Sequence, residues 1–457
     1  MEVFMRKYKT IAFTWLFLSF IVAAAVQAEV KFDDYFVDQT MRIDYYHMAD
    51  KTTEFFSLDK IYLQGKWAGS LNSLGEPFDI GLYYIKIYDD VSGTPIYSKG
   101  FNSYCSEYIT TDMAANGVKR TFHETALIPF PKKNIKFTIE RRDRENRLNR
   151  IFSQVIDPRS IEINKESLVE GVAVYDILKN GDPHNKADLA FIAEGYTSTE
   201  AVKFKQDVER VSGELFKLEP YKSHKADFNI YGLFKASRES GPDEPREGVF
   251  KNTAVGASFN ALGLDRYMLA EENRAMRDIA AHAPYDAIII IVNSRRYGGG
   301  GIYNAYCCFT SDDEWNVYLF LHEFGHSFGG LADEYYGSPV SYNEFYPKGI
   351  EPVEPNITAL LDPANLKWKR LLKKGATIPT PWGKEEYEKL PGKDKTAFLQ
   401  SRAQKLKSTV GAFEGAGYTA RGLYRPMLNC LMFSKGVIPY CKVCEEAISK
   451  VIGYYTL

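Results

Sequence analysis

His322-Glu323-Phe324-Gly325-His326-Ser327-Phe328-Gly329-Gly330-Leu331-Ala332-Asp333-Glu334-Tyr335 is the stretch from which the rest of the chain can be read. Two imidazoles four residues apart share one face of a helix, so both can reach a single metal ion. Glu323, next to the first of them, then stands beside the open coordination position and can take a proton from metal-bound water. The pattern points to hydrolytic chemistry with Zn2+ as cofactor.

The surroundings extend this reading. Ser311-Asp312-Asp313-Glu314 has the form of a capping box, and Trp315, Leu319, His322 and His326 follow at helical spacing up to Gly329-Gly330. A catalytic zinc takes three protein ligands, and none of the seven histidines follows His326. Gly329 stands where metzincin-type sites turn the chain back under the metal, and their usual third position falls on Ala332, which has no donor. Asp333 is therefore expected as third ligand, with Glu334 as its partner or as alternate ligand, and Glu344 as a more distant rival. Metzincins also carry a methionine beneath the metal. Met432 is the first choice here and Met427 the second. Tyr424 and Arg425 are candidate donors to the oxyanion or the substrate backbone, weighed against a packed aromatic and a surface cation.

At 457 residues the chain exceeds one ordinary core, and two or three domains are expected. A net charge of -2 with mixed signs argues against a nucleic-acid surface. Residues 1–28 read as a signal peptide: Arg6, Lys7 and Lys9 precede an uncharged apolar run from Ile11 to Ala25, and Val26-Gln27-Ala28 suits cleavage. The mature chain is expected to be exported, to the periplasm, the medium or the cell surface. No later stretch is long and apolar enough for a membrane span.

From 29 to about 160 short period-two runs such as Ile80–Ile87 and Ile135–Ile139 alternate with Asp, Gly, Asn and Pro clusters, which predicts an all-β sandwich. Its histidines, His47 and His123, are isolated in sequence, and no ligand can be assigned to it. From 161 to 457 the pattern becomes α/β. Asp188–Glu194, Phe228–Phe234 and Ala287–Val292 read as strands, with helices between them, giving a mainly parallel sheet. Gly298-Gly299-Gly300-Gly301 leads into an alternating segment, Ile302–Phe309, expected as an edge strand that aligns substrate. Residues 349–412 form a Pro- and Lys-rich insertion expected on the cleft rim. Of the six cysteines, Cys441 and Cys444 form a CxxC read as structural; a cysteine-only zinc site lacks an evident fourth ligand.

Taken together, Ala193-Glu194-Gly195-Tyr196-Thr197, Glu239-Ser240-Gly241, the 322–335 stretch and Tyr424-Arg425-Pro426 with Cys430-Leu431-Met432 resemble the immunoglobulin-A metallopeptidase family of secreted bacterial proteins. The amino-terminal β-rich region resembles the accessory domain that precedes that peptidase domain. The resemblance implies a zinc endopeptidase of metzincin type acting on a protein or peptide substrate. Its ligands would be His322, His326 and Asp333, and its general base Glu323. It does not imply immunoglobulin A as substrate. The competing reading is a non-catalytic, metal-containing protein that binds a surface glycan or protein.

Overall fold

Ala187–Glu194 is buried at every position, as is nearly all of Phe228–Lys235 and Ala287–Val292. Such uninterrupted apolar runs belong to strands covered on both faces. In the computed structural model, which describes residues 30–336 and 345–457, they form the centre of a six-stranded sheet. The expected export segment and Glu344 lie outside the described residues.

The sheet order is Gly299–Ile302, Tyr306–Thr310, Ala287–Val292, Ala187–Glu194, Phe228–Lys235, Val172–Leu178. The four inner strands are parallel, and the strand at each edge runs antiparallel. One face packs Leu189, Phe191 and Ile289 against the Ala201–Leu215 and Asn316–Ser327 helices and the final Lys442–Thr456 helix. The other face packs Ala190, Ile192 and Ile290 against Met268, Met276 and Ile279.

The expected Ile302–Phe309 strand is two strands. A turn at Asn304, with positive φ, separates Gly299–Ile302 from Tyr306–Thr310. Tyr306–Thr310 is paired on both sides, so the glycine strand ends the sheet; its outer side is bridged at Gly299 to Tyr267, whose neighbour Met268 donates its N–H to the Gly299 carbonyl at 3.2 Å, and only Gly301 is partly exposed.

The amino-terminal part is β-rich, as expected. One four-stranded sheet has the order Arg120–Pro131, Phe36–Ala49, Glu54–Gln64, Ile163–Asn164; the other, Pro95–Phe101, Tyr83–Asp89, Ile135–Arg142, Leu148–Ile156. His47 on Tyr83 and Phe56 on Phe152 bring the two sheets together. His47 is not isolated in space: its ring is buried between Glu124, at 3.0 Å, and Glu54, at 2.8 Å. This region also grips the turn at 303–304: Tyr303 Oη donates to Glu76 at 2.5 Å and Asn304 Nδ2 to the Gly100 carbonyl at 2.7 Å. Asn304 N–H in turn donates to the Ser327 carbonyl at 2.9 Å, tying the turn to the end of the 316–327 helix.

That helix lies directly on the glycine strand. A Cβ at Gly301 would stand 2.3 Å from the Glu323 carbonyl oxygen and 3.1 Å from His326 Cβ. Both are parts of a packed helix and cannot rotate aside. Gly301→Ala is therefore expected to destabilise the protein by about 1–3 kcal/mol, the usual cost of overpacking. Thermal unfolding checks this, and an unchanged melting temperature contradicts it.

Candidate metal centre

Asn316–Ser327 is the helix that carries the motif. Its start differs from the sequence expectation. The capping box at Ser311 is not used: the helix begins after Trp315, and Asp313 accepts from the Trp315 N–H at 2.8 Å. Ser311 instead extends the sheet through its N–H to the Val292 carbonyl, at 2.8 Å, and Lys203 binds Asp312 at 3.0 Å. Strand pairing and an ion pair have outcompeted the local cap.

The helix end also differs in detail. Gly330, not Gly329, takes the left-handed conformation, with φ of +60°, and its N–H donates to the His326 carbonyl at 3.1 Å. Gly329 is required by close approach, because a Cβ there would lie 2.8 Å from the Gly325 carbonyl. The turn sends Leu331–Glu334 back beneath the helix.

His322 Nε2 and His326 Nε2 are 3.2 Å apart, and Asp333 Oδ1 lies 3.0 Å from the first and 3.3 Å from the second. A tetrahedral zinc with ligand bonds of about 2.0–2.1 Å has ligand–ligand edges of about 3.3 Å, so the three atoms fit one such ion. Asp333 Oδ1 is buried and without a hydrogen-bond donor, as a metal-facing oxygen would be. The ring orientations agree. His322 Nδ1 faces the Leu431 carbonyl at 3.3 Å and His326 Nδ1 the Leu331 carbonyl at 2.6 Å. Each Nδ1 thus carries the proton and each Nε2 is left free for the centre.

The electrostatics follow. Without a metal, burial works against a charge on His326, but the Asp333 and Glu323 carboxylates outweigh it and push its pKa up to about 9, so a metal ion would displace a proton from its Nε2. Burial likewise opposes the Asp333 charge, and the two imidazoles overcome it, holding the carboxyl well below its usual range. Glu323, partly exposed on the cleft floor, has its pKa raised by desolvation, with the two histidines pulling the other way.

Glu334 is not at this centre. Its carboxylate is fully buried and accepts from Asn356 Nδ2 at 3.1 Å, with Cys444 Sγ 3.3 Å away. Adjacent residues in an extended segment point to opposite sides, so Asp333 and Glu334 cannot both face the histidines. Met432 does lie under the motif: its sulfur would be 2.9 Å from a Cβ at Gly325, the residue before His326. Met427 is only partly buried at the margin of the same core.

Tyr424 and Arg425 are not brought to the cleft. Arg425 is fully buried, donating to the Gly415 and Leu428 carbonyls and lying 4.0 Å over the Phe433 ring. Tyr424 pairs through its backbone with Thr358. Pairing of the Thr419–Arg425 strand with Phe413–Ala416 turns Arg425 into the core and leaves Tyr424 half-buried on the opposite face, and neither lines the cleft. The insertion also falls short of a rim role among the described residues: Glu354 reaches the cleft, while Trp368 and Trp382 are buried in cores.

Several cleft residues carry no signal in the sequence. Tyr418 Oη donates to Asp333 Oδ2 at 2.5 Å. Asn356 braces the loop through the Ala332 N–H and carbonyl, at 2.8 and 2.9 Å. Tyr335 stacks on His322, with ring centroids 6.2 Å apart. Arg266 stands beside Tyr335, Tyr297 and Glu323. Removing the Tyr418 hydroxyl frees Asp333 Oδ2, so Tyr418→Phe is expected to weaken metal affinity by about 10–100-fold. Competition with a chromogenic chelator measures it, and an affinity equal to wild type contradicts it.

Residues 175–452 match the family described as IgA Peptidase M64, and residues 31–153 match its Peptidase M64 N-terminus. No curated protein matched the chain. A match over more than half the sequence, with a second covering the β-rich region, places the chain in the IgA peptidase M64 family and makes it a peptidase.

Proposed function

We propose that this peptidase is an exported, zinc-dependent endopeptidase whose metal is held by His322, His326 and Asp333 and whose general base is Glu323. The supporting observation is the convergence of two imidazole Nε2 atoms on a buried, donorless Asp333 oxygen. A zinc ion there supplies Lewis acidity and lowers the pKa of water in its open position.

The chain's own groups account for the remaining chemistry. Glu323 takes a proton from the attacking water and returns it to the leaving amine; desolvation raises its pKa, which favours a group that must do both. Arg266, Tyr297 and Tyr335 line the cleft and offer donors to the developing oxyanion, in place of Tyr424 and Arg425. In the Gly299–Ile302 strand, against Glu323, Gly299 is already bridged to Tyr267, and the partly exposed Gly301 offers its backbone groups to an extended peptide. Residues 1–28 would direct export and be removed, leaving an accessory domain over 29–160 and a metallopeptidase domain over 161–457, with a periplasmic, secreted or cell-surface location.

The mature protein is expected to cut an unfolded protein at internal bonds, to stop on chelation and to resume on zinc addition. Cleavage that survives exhaustive chelation contradicts zinc dependence. Zinc binding without cleavage of any peptide library supports the non-catalytic binding protein instead.

A further inference from the structure

Below the motif helix lies a second group of ligand-type side chains that the hydrolytic chemistry does not use. Glu334, Cys430, Cys441 and Cys444 come from the loop after the helix, the segment before Met432 and the start of the final helix. All four are buried. Cys441 Sγ lies 3.4 Å from Cys444 Sγ, and Cys430 Sγ 3.8 Å from Cys444 Sγ. Glu334 Oε1 is 3.3 Å from Cys444 Sγ and 3.8 Å from Cys441 Sγ. A tetrahedral zinc with Zn–S bonds of about 2.3 Å has sulfur–sulfur edges of about 3.8 Å. These spacings suit four corners around one ion and are far too long for a bonded sulfur pair.

Two further observations point to a cation. Glu334 Oε2 is buried with no hydrogen-bond partner, a costly state for a carboxylate unless a positive charge compensates it. Backbone N–H groups also point at the sulfurs: Cys441 N–H at Cys430 Sγ, 3.2 Å, and Cys444 N–H at Cys441 Sγ, 3.5 Å, an arrangement that stabilises thiolates. A disulfide would use two of the three cysteines and leave the third thiol and the carboxylate stranded. Buried Arg425 interacts electrostatically with Glu334 and offsets part of the negative charge of a three-thiolate, one-carboxylate site.

We propose that Glu334, Cys430, Cys441 and Cys444 hold a structural zinc ion, closed to solvent, distinct from the histidine centre. Four protein ligands leave no open position, and soft thiolates select zinc over calcium or magnesium. The ion ties the loop that carries Glu334 to two segments that lie about a hundred residues later in the chain. Glu334 N–H donates to the Met432 carbonyl at 2.9 Å, and Leu431, between Cys430 and Met432, orients His322. Glu334 follows Asp333 directly, so the structural ion fixes the segment that presents Asp333. This positioning role rests on the function proposed above; the binding of the ion does not.

The test uses the mature full-length protein, its His322→Ala/His326→Ala double variant, and cobalt substitution of both. The double variant is expected to retain one tightly held zinc per chain. Its cobalt form is expected to show intense thiolate-to-cobalt charge transfer and four-coordinate visible bands. Adding Cys444→Ser should abolish both the zinc and the bands. Because that variant can fail to fold, a second measurement is made on unsubstituted protein denatured without reductant in chelator. All six cysteines are expected to alkylate as free thiols. A double variant without zinc, cobalt spectra without thiolate bands, or a disulfide among Cys430, Cys441 and Cys444 overturns the proposal. If instead the histidine reading is wrong, unsubstituted protein carries the same zinc content as the double variant, and the thiolate bands persist.

Discussion

Glu323→Gln is expected to lower kcat for peptide hydrolysis by about 10²–10⁴-fold while leaving the zinc content unchanged. The substitution keeps the size and shape of a side chain packed against the glycine strand, where Glu323 Cγ would lie 3.1 Å from a Cβ at Gly299, so the fold has no cause to shift. It removes only the capacity to accept a proton. Metal binding does not change, because the two histidines and Asp333 are left as they were. Steady-state kinetics with a quenched peptide, paired with metal analysis, separates the two effects. A variant that loses zinc along with activity contradicts the assignment of Glu323 as a base, and one that cleaves at the wild-type rate contradicts it more directly.

The second large effect concerns Asp333. Asp333→Ala removes the only carboxylate within reach of both His322 and His326 among the groups of metal-type residues described. Metal affinity should fall by more than the roughly 10–100-fold expected for a supporting partner such as Tyr418. Glu334→Ala removes none of the three donors at the histidine centre and acts on them only through the segment that carries Asp333, so its effect on affinity there should be smaller than that of Asp333→Ala.

Asp333 also has a metal-free consequence. His326 has a raised pKa, so its share of the stability is full below about pH 6.5. That share is lost as pH rises through about 9. Asp333 has a depressed pKa, so its share is present above about pH 3.9 and is lost in stronger acid. Metal-free wild type should therefore exceed metal-free Asp333→Ala most between about pH 4 and 6.5, with the gap closing toward about pH 9. Denaturant unfolding across that range checks it; a gap that widens with pH contradicts it.

The parts of the molecule legible in the sequence are those specified by local periodicity. The apolar runs at 187–194, 228–235 and 287–292 announce a buried parallel sheet because strands covered on both faces cannot alternate. The histidine spacing needs only a helix to bring both rings together, and Met432 follows from a known spatial relation to such a helix. Errors arise where a long-range partner decides the outcome. Ser311 and Asp312 form a good local cap, yet Val292 and Lys203 claim them. Tyr424 and Arg425 carry useful donors, but strand pairing turns Arg425 into a core and holds Tyr424 half-buried outside the cleft.

The convergence of Glu334 with three cysteines is the extreme case. About a hundred residues separate Glu334 from its partners, and no local pattern marks a glutamate as the fourth member of a cysteine cluster. Tyr418 and Asn356 are likewise unremarkable in sequence, because each acts through the Ala332–Glu334 segment that the glycine turn folds back.

The most direct measurement is the anomalous scattering of zinc-loaded crystals recorded on both sides of the zinc absorption edge. The expected result is a peak equidistant from His322 Nε2, His326 Nε2 and Asp333 Oδ1, with Glu323 facing its open side. A zinc-loaded crystal with no peak there, or with Glu334 in place of Asp333 as the third ligand, would contradict the centre on which the proposed chemistry depends.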